Sequence, residues 1–274
     1  MQGVSDEGRE QARLMSDRAA DDAPLFRTRV ATPLAPMHSE PQVTSQQVSQ
    51  QLGGHDVDVM DEEGDWLRCR GVDEYEGWIH VGFLERRGER LDAASALRVS
   101  LGCTTERPDG RRRSLPLRAL LRRDERLLSG DALDPVRVTN TFPLYGGAIA
   151  QSAHDLFRGT SYVWGGVTPW GADCSGFTQA IYALHGRILP RDAWQQAELG
   201  RPIEGGFSAL LAGDLLFFSD RPDKRVTHVG VALGSGKMVH LALGRGGYAV
   251  ETLDAGDSYT TRLRERYLFA RRML

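Results

Sequence analysis

The residues of this sequence best suited to covalent chemistry are one thiol and two imidazoles. Cys174 lies in the run Asp173-Cys174-Ser175-Gly176-Phe177, and the stripe Phe177, Ile181 and Leu184, closed by Gly186, predicts a helix that starts at the cysteine. A thiol in the first turn sees unpaired backbone N–H groups and the positive end of the helix dipole, and both favour the nucleophilic thiolate. Asp173 reads as the N-cap, and Gly176 allows another backbone to pass close above the sulfur. A thiol nucleophile needs a base within hydrogen-bond reach, and that base needs a partner to hold its tautomer. His228 and His240 are the candidates. If Gly234, Ser235 and Gly236 make a three-residue hairpin loop, Gly230 faces His240. The two imidazoles then share one sheet face as diagonal neighbours, within roughly 8 Å of one another. A two-residue loop would put them on opposite faces. Alone, His240 between Val239 and Leu241 reads as a buried packing histidine, and only its pairing with His228 gives it a role. His38, His55, His80, His154 and His185 read as surface or packing residues. A zinc site from Cys174, His228 and His240 lacks the usual short-range ligand pairs, so neither a metal nor an organic cofactor is expected.

These groups must be held by the last part of the chain, residues 144–274. GGAIAQSAHDLFRG, DCSGFTQAIYALHG and RDAWQQAELG have helical apolar spacing, whereas DLLFFS, THVGVALG, KMVHLAL and YAVETL read as strands separated by Gly-rich turns. Helices followed by an antiparallel meander make an α+β domain. Upstream, residues 26–92 carry the alternation of a small all-β barrel or sandwich in DVDVM, DWLRCR and EGWIHVGFL. Residues 93–143 read as a second, divergent β module, and residues 1–25 as a charged N-terminal arm without assigned chemistry. The arginines at 111–113, with Arg122 and Arg123, lie among Asp109, Asp124 and Glu125 and read as a solvated surface.

Composition narrows the function. The chain has 274 residues, with 34 Lys and Arg against 37 Asp and Glu, a formal charge of −3 spread along the chain. Such a balance offers no broad attraction for nucleic acid or an anionic membrane, and neither is expected as a partner. The opening stretch has charges throughout and no apolar core of a secretory signal, so a cytoplasmic protein is expected. Three widely spaced cysteines without a CxxC pair indicate no disulfide framework.

Six motifs in order, GTSYVWGG (159–166), GADCSGF (171–177), LPRDAWQQ (189–196), AGDLLFF (212–218), THVGVALG (227–234) and MVHLA (238–242), resemble those of the NlpC-type cysteine peptidases, whose fold is papain-like. SEPQVTSQ (39–46) and DEYEGWIHVGFL (73–84) look like the bacterial SH3-like barrel found upstream of the catalytic domain in γ-D-glutamyl-L-diamino acid endopeptidases of murein-peptide recycling. The resemblance covers about 26–274 and is weakest over 93–143. It implies Cys174 as nucleophile, His228 as base and His240 as the orienting third member, with the hydroxyl of Tyr162 near the sulfur. It also implies a pocket for a free N-terminal ammonium made by Asp173 and Glu40, closed by Tyr75 and supplied with a further polar contact by Ser175. Trp164 and Trp78 read as core. Ser161, where relatives often have Pro, and Ala193, where some have Ser, depart from the pattern, and the second leaves one substrate contact open.

The expected activity is hydrolysis of the γ-D-glutamyl–diamino acid bond in released peptides of the form L-Ala-γ-D-Glu-diamino acid. The alternatives are a D,L-endopeptidase acting on intact murein, an inactive wall-fragment binding protein, and acyl transfer to an amine by the same triad.

Overall fold

A computed structural model describes residues 23–86 and 97–274. The expected arm, up to residue 22, and the start of the second β module, residues 93–96, lie outside the described residues.

The first β region contains β1 (Phe26–Arg29), β2 (Leu34–His38), β3 (Gln47–Leu52), β4 (Asp56–Glu63), β5 (Trp66–Arg70) and β6 (Glu76–His80), in the sheet order β1-β4-β5-β6-β2-β3. Val57 and Val59 turn inward between outward-facing aspartates, as the period of two requires, and meet Met37, Leu67, Cys69 and Ile79 in one core. Among the described residues no ladder joins the edge strands β1 and β3, so the barrel expected here is a curled, open sheet. The chain leaving β3 is engaged elsewhere: the Gly53 carbonyl accepts from the Leu120 N–H at 2.7 Å, and Leu52 packs with Leu115, Ala119 and Leu121 of the next module.

That module consists of β7 (Leu97–Glu106), β8 (Arg112–Arg122) and β9 (Arg126–Leu133), ordered β8-β7-β9, and then α1 (Pro135–Thr141). The helix departs from the all-β expectation for 93–143. Asp134 stands at its N-cap position and Pro135 at its first turn, a common way to start a helix. Arg111, Arg112, Arg113 and Arg122 each pair with an acidic neighbour; the cluster is a compensated surface except for Arg113 and Glu125, whose pair is buried.

The remaining elements are α2 (Gly146–Leu156), β10 (Val167–Thr168), β11 (Gly171–Ala172), α3 (Cys174–Leu184), α4 (Ala193–Gln196), β12 (Arg201–Pro202), β13 (Leu215–Phe218), β14 (His228–Gly234), β15 (Lys237–Ala242), β16 (Gly247–Thr252), α5 (Ser258–Glu265) and β17 (Tyr267–Arg272). The six-stranded sheet is ordered β12-β17-β13-β14-β15-β16, so the expected meander is present and β17 returns to pair with the free side of β13. Helix α5 escapes the apolar pattern because only Thr260 and Leu263 are buried along it.

Helices α2 and α3 pack on β14, and α3 is buried on nearly every side rather than along one stripe. Phe177 of α3 meets Phe157 edge to face with centroids 5.1 Å apart, and both rings lie in the core with Ile149, Ile181, Phe217 and Val229. That contact ties the cysteine-bearing helix to the end of α2, within a cluster that also packs on the sheet. Phe177→Ala is therefore expected to reduce stability by about 3–5 kcal/mol, measured by urea unfolding followed by tryptophan fluorescence.

Candidate active site

Cys174 is the first residue of α3, where the sequence pattern put it. Asp173 caps the helix: its Oδ1 accepts from the Gly176 N–H at 2.8 Å and its Oδ2 from the Gly165 N–H at 2.8 Å. A side chain at Gly176 would collide with the carbonyl of Gly166, so glycine is required for the 163–173 loop to lie over the helix start.

The capping carboxylate is held by a residue to which the sequence reading gave no role. Arg191, 1% exposed, donates from Nη1 to Asp173 Oδ1 at 3.0 Å and from Nη2 to Asp173 Oδ2 at 2.6 Å. Its Nη1 also reaches Ser175 Oγ at 2.9 Å, and its Nε donates to Ser49 Oγ on β3 at 3.1 Å. A guanidinium in this position is stable because its fork meets a carboxylate in two parallel bonds and two further N–H donors find hydroxyls. The only hint in the sequence was Pro-Arg-Asp ahead of a helix, a pattern more common on surfaces.

The two histidines meet as proposed, through a different loop. Ser235 and Gly236, both with positive φ, form a two-residue turn. By itself that turn would separate the rings, but Leu233 bulges out between the pairs Ala232↔Met238 and Gly234↔Lys237. The extra residue restores the alternation. Val231 faces Val239, His228 and His240 share a face, and His228 Nε2 lies 2.8 Å from His240 Nδ1. These nitrogens point at each other as donor and acceptor instead of converging on a common point. His240 is fully buried, and its other nitrogen, Nε2, lies 3.4 Å from Glu251 Oε1.

Burial decides the charge states. The Cys174 thiol, 6% exposed, is pushed up to about 12 by burial and then by Asp173, against the opposing pull of the Val229 N–H, Arg191 and the Ser175 N–H. His228 is held well below the ordinary imidazole range by burial, then by His240 and Arg266. Burial thus opposes the charged form of each group, against the pull of the helix start toward the thiolate. A helix end contributes about 0.3–1 kcal/mol to an anion, up to ~2 when partly buried, whereas dehydrating a charge costs several kcal/mol. The Val229 contact also places the start of β14 directly against the sulfur.

Cys174 and His228 open into one cavity of about 660 Å³. Tyr75 joins its wall from the first sheet, with Gln46 and Val48, and Tyr162, Asp173 and Ser175 line it near the sulfur. Burial, then Cys174, raises the Tyr162 phenol, in keeping with a hydroxyl near the thiol. Glu40 is exposed in the β2–β3 turn and is not among the residues lining the cavity. The acid that stands there instead is Asp192. Its carboxyl is raised above the usual range, chiefly by burial, and it adds to the burial that pushes Tyr75 up to about 12. Asp173 and Ser175 spend their polar atoms on Arg191 and the helix cap. Trp164, expected in the core, is 58% exposed at the cavity wall. Arg225, stacked 5.1 Å from the Trp194 ring centre and close enough to Asp192 to act on its carboxyl, and Arg266 also line the cavity.

Residues 159–266 match the model of the NlpC/P60 family. The chain is 29% identical over 224 residues to a γ-D-glutamyl-L-lysine dipeptidyl-peptidase of Bacillus cereus, covering 70% of this chain and 66% of that protein. It is 43% identical over 86 residues to the protein of the same name in Bacillus subtilis, covering 31% and 28% respectively. The matched segments thus span less than two thirds of either relative. Among solved structures, an NlpC/P60 family protein from Bacillus cereus aligns with a TM-score of 0.73 and 21% identity, over 91% of this chain and all of that one. The fold is accordingly that of this family, helices against an antiparallel sheet in the papain-like manner, with an all-β region upstream.

Arg191→Met should leave the Asp173 carboxylate buried without a counter-charge and lower stability by about 3–5 kcal/mol in denaturant unfolding, considerably more than exposed Arg112→Met.

Proposed function

We infer that this chain, which carries an NlpC/P60 cysteine-peptidase domain at 159–266, hydrolyses the γ-D-glutamyl–diamino acid amide of short peptides already released from peptidoglycan. The observation that carries this reading is a thiol at a helix start sharing one cavity with His228, an imidazole hydrogen-bonded to a second one behind it. The choice of bond is supported by the names of the Bacillus relatives. The choice of a small, free peptide over intact murein is supported by Gln46, Val48 and Tyr75, by which the first β region contributes to the cavity wall. On this reading the enzyme recycles peptides in the cytoplasm.

Catalysis begins with proton transfer from Cys174 Sγ to His228, and the thiolate so formed attacks the γ-carbonyl carbon. Backbone N–H groups around Cys174 hold the oxyanion, with the Tyr162 hydroxyl beside it. The C–N bond breaks as His228 returns the proton to the departing amine of the diamino acid. His228 then takes a proton from water, the hydroxide adds to the thioester, and L-Ala-D-Glu leaves as the thiol is restored. His240 orients His228 throughout.

The free ammonium of L-Ala needs an acid in a partly dehydrated place, and Asp192 beside Tyr75 meets that need. Asp173 contributes by positioning, through the cap and Arg191. Arg225 and Arg266, which also line the cavity, suit the carboxylates of the departing peptide.

Cys174→Ala should abolish release of L-Ala-D-Glu from L-Ala-γ-D-Glu-diaminopimelate, followed by mass spectrometry, while circular dichroism stays unchanged. Undiminished hydrolysis would refute the assignment. Asp192→Asn should raise KM for free-amine peptides about 10- to 100-fold and leave N-acetylated peptides nearly unaffected. Because burial raises the Asp192 carboxyl, wild-type affinity for free amines should fall, as pH is lowered, from a higher pH than an ordinary aspartate would set. Equal kinetics on both substrates would remove Asp192 from the pocket.

A further inference from the structure

The chain of buried polar groups does not end at His240. In the β15–β16 pairing His240 faces Ala249, so Glu251, two residues further, is its diagonal neighbour on the same face. Glu251 is 4% exposed, and its Oε1 lies 3.4 Å from His240 Nε2, a nitrogen with no other partner. The carboxylate is gripped on its outer side by Arg245, whose Nε and Nη2 donate at 2.7 and 2.9 Å, and whose guanidinium sits 3.9 Å from the Tyr259 ring centre. Burial by itself would raise the Glu251 carboxyl, but His240 and Arg245 outweigh it and hold the group below the usual carboxylate range, as an anion.

We propose that Glu251 is a positioning residue that holds His240 as its Nε2–H tautomer and thereby decides which nitrogen of His228 is free to take the Cys174 proton. A neutral imidazole has one donor and one acceptor. With Nε2–H directed at the carboxylate, His240 Nδ1 must accept. His228 must then donate from Nε2, and its Nδ1 carries the lone pair. The opposite tautomer would turn the His240 Nε2 lone pair against a carboxylate, which is repulsive. The same anion also favours the imidazolium that forms when His228 accepts the thiol proton, while Arg245 and Arg266 oppose it. The protons on His228 Nε2 and His240 Nε2 stay in place: the only transfer is from Cys174 Sγ to His228 Nδ1. The gap of 3.4 Å is long for a hydrogen bond, and contacts of this kind tighten when substrate excludes water.

This inference rests on the assignment of Cys174, His228 and His240 as the reacting groups, so wild-type turnover of L-Ala-γ-D-Glu-diaminopimelate is measured first. Its absence would defeat the assignment of function rather than the role of Glu251. The groups that bear on the pH dependence are His228, His240, Glu251, Tyr259, Arg245 and Arg266. The acidic limb of kcat reports His228 in the enzyme–substrate complex, where the bound ammonium keeps Asp192 ionised. Glu251→Gln should lower kcat about 10- to 100-fold with KM within about threefold, and shift the acidic limb to lower pH because the imidazole pair becomes less basic. Arg245→Leu should shift the same limb to higher pH, because it uncovers the carboxylate. Equal losses in both variants with neither limb moved would make Glu251 a structural brace for the β15–β16 turn and overturn the proposal. Should Glu251→Gln fail to fold, ¹⁵N shifts of the histidine rings in the wild type decide alone: a proton on His240 Nε2 supports the proposal, and a proton on Nδ1 overturns it.

Discussion

A guanidinium with no access to water, lodged against the carboxylate that opens the cysteine's helix, is the constraint on which the rest of the site depends. Arg191 reaches Asp173 and Ser175 at the start of α3 and Ser49 on β3. A buried cation is tolerated only when every donor is met, so these partners are obliged to keep their places. The cap fixes the direction of α3, and the required glycine at 176 brings the 163–173 loop down beside the sulfur. Through Ser49 the first β sheet becomes part of the site rather than an appendage. Gln47 strengthens the attachment by donating from Nε2 to the Trp164 carbonyl at 2.9 Å, and Asp73 by accepting from Gln179 Nε2 at 2.8 Å.

Closing the cavity with a second module has an electrostatic consequence. Water is displaced from the thiol and the imidazole, which disfavours the charged form of each. The helix start is too weak to reverse this. Reaction must then begin with a proton moving inside the site, and the direction of that transfer depends on which imidazole nitrogen holds a lone pair. Two rings in a dry environment are well suited to preserving such an arrangement, because a wrong tautomer leaves a buried polar atom facing its own kind. The same dryness makes Asp192 a plausible seat for an ammonium, since a partly dehydrated carboxylate gains more from a counter-charge than a solvated one.

Much of the framework was legible. The helix at Cys174, its cap, the glycine beneath the loop, the meander that follows and the pairing of two histidines all come from local periodicity and residue type. Several expectations failed for physical reasons. The barrel of residues 26–92 is an open sheet, because its edge contacts the neighbouring β module instead of its own first strand. The hairpin carrying the histidines reached the right register through a bulge at Leu233, which no turn signal announces. Glu40 was placed in the pocket by analogy of position, yet the turn that bears it faces solvent.

The amino-acid order alone determined which chemistry is available: one thiol at a helix start, two imidazoles on neighbouring strands, and an α+β framework to hold them. These follow from interactions between residues close along the chain. Only the tertiary structure decided that Arg191 lies inward, that Asp192 faces the cavity, that Glu251 sits behind His240, and that burial weighs against the thiolate. Each of those depends on how much water remains around a charged or polar group, and that is set by distant segments packing over it, which local spacing does not encode.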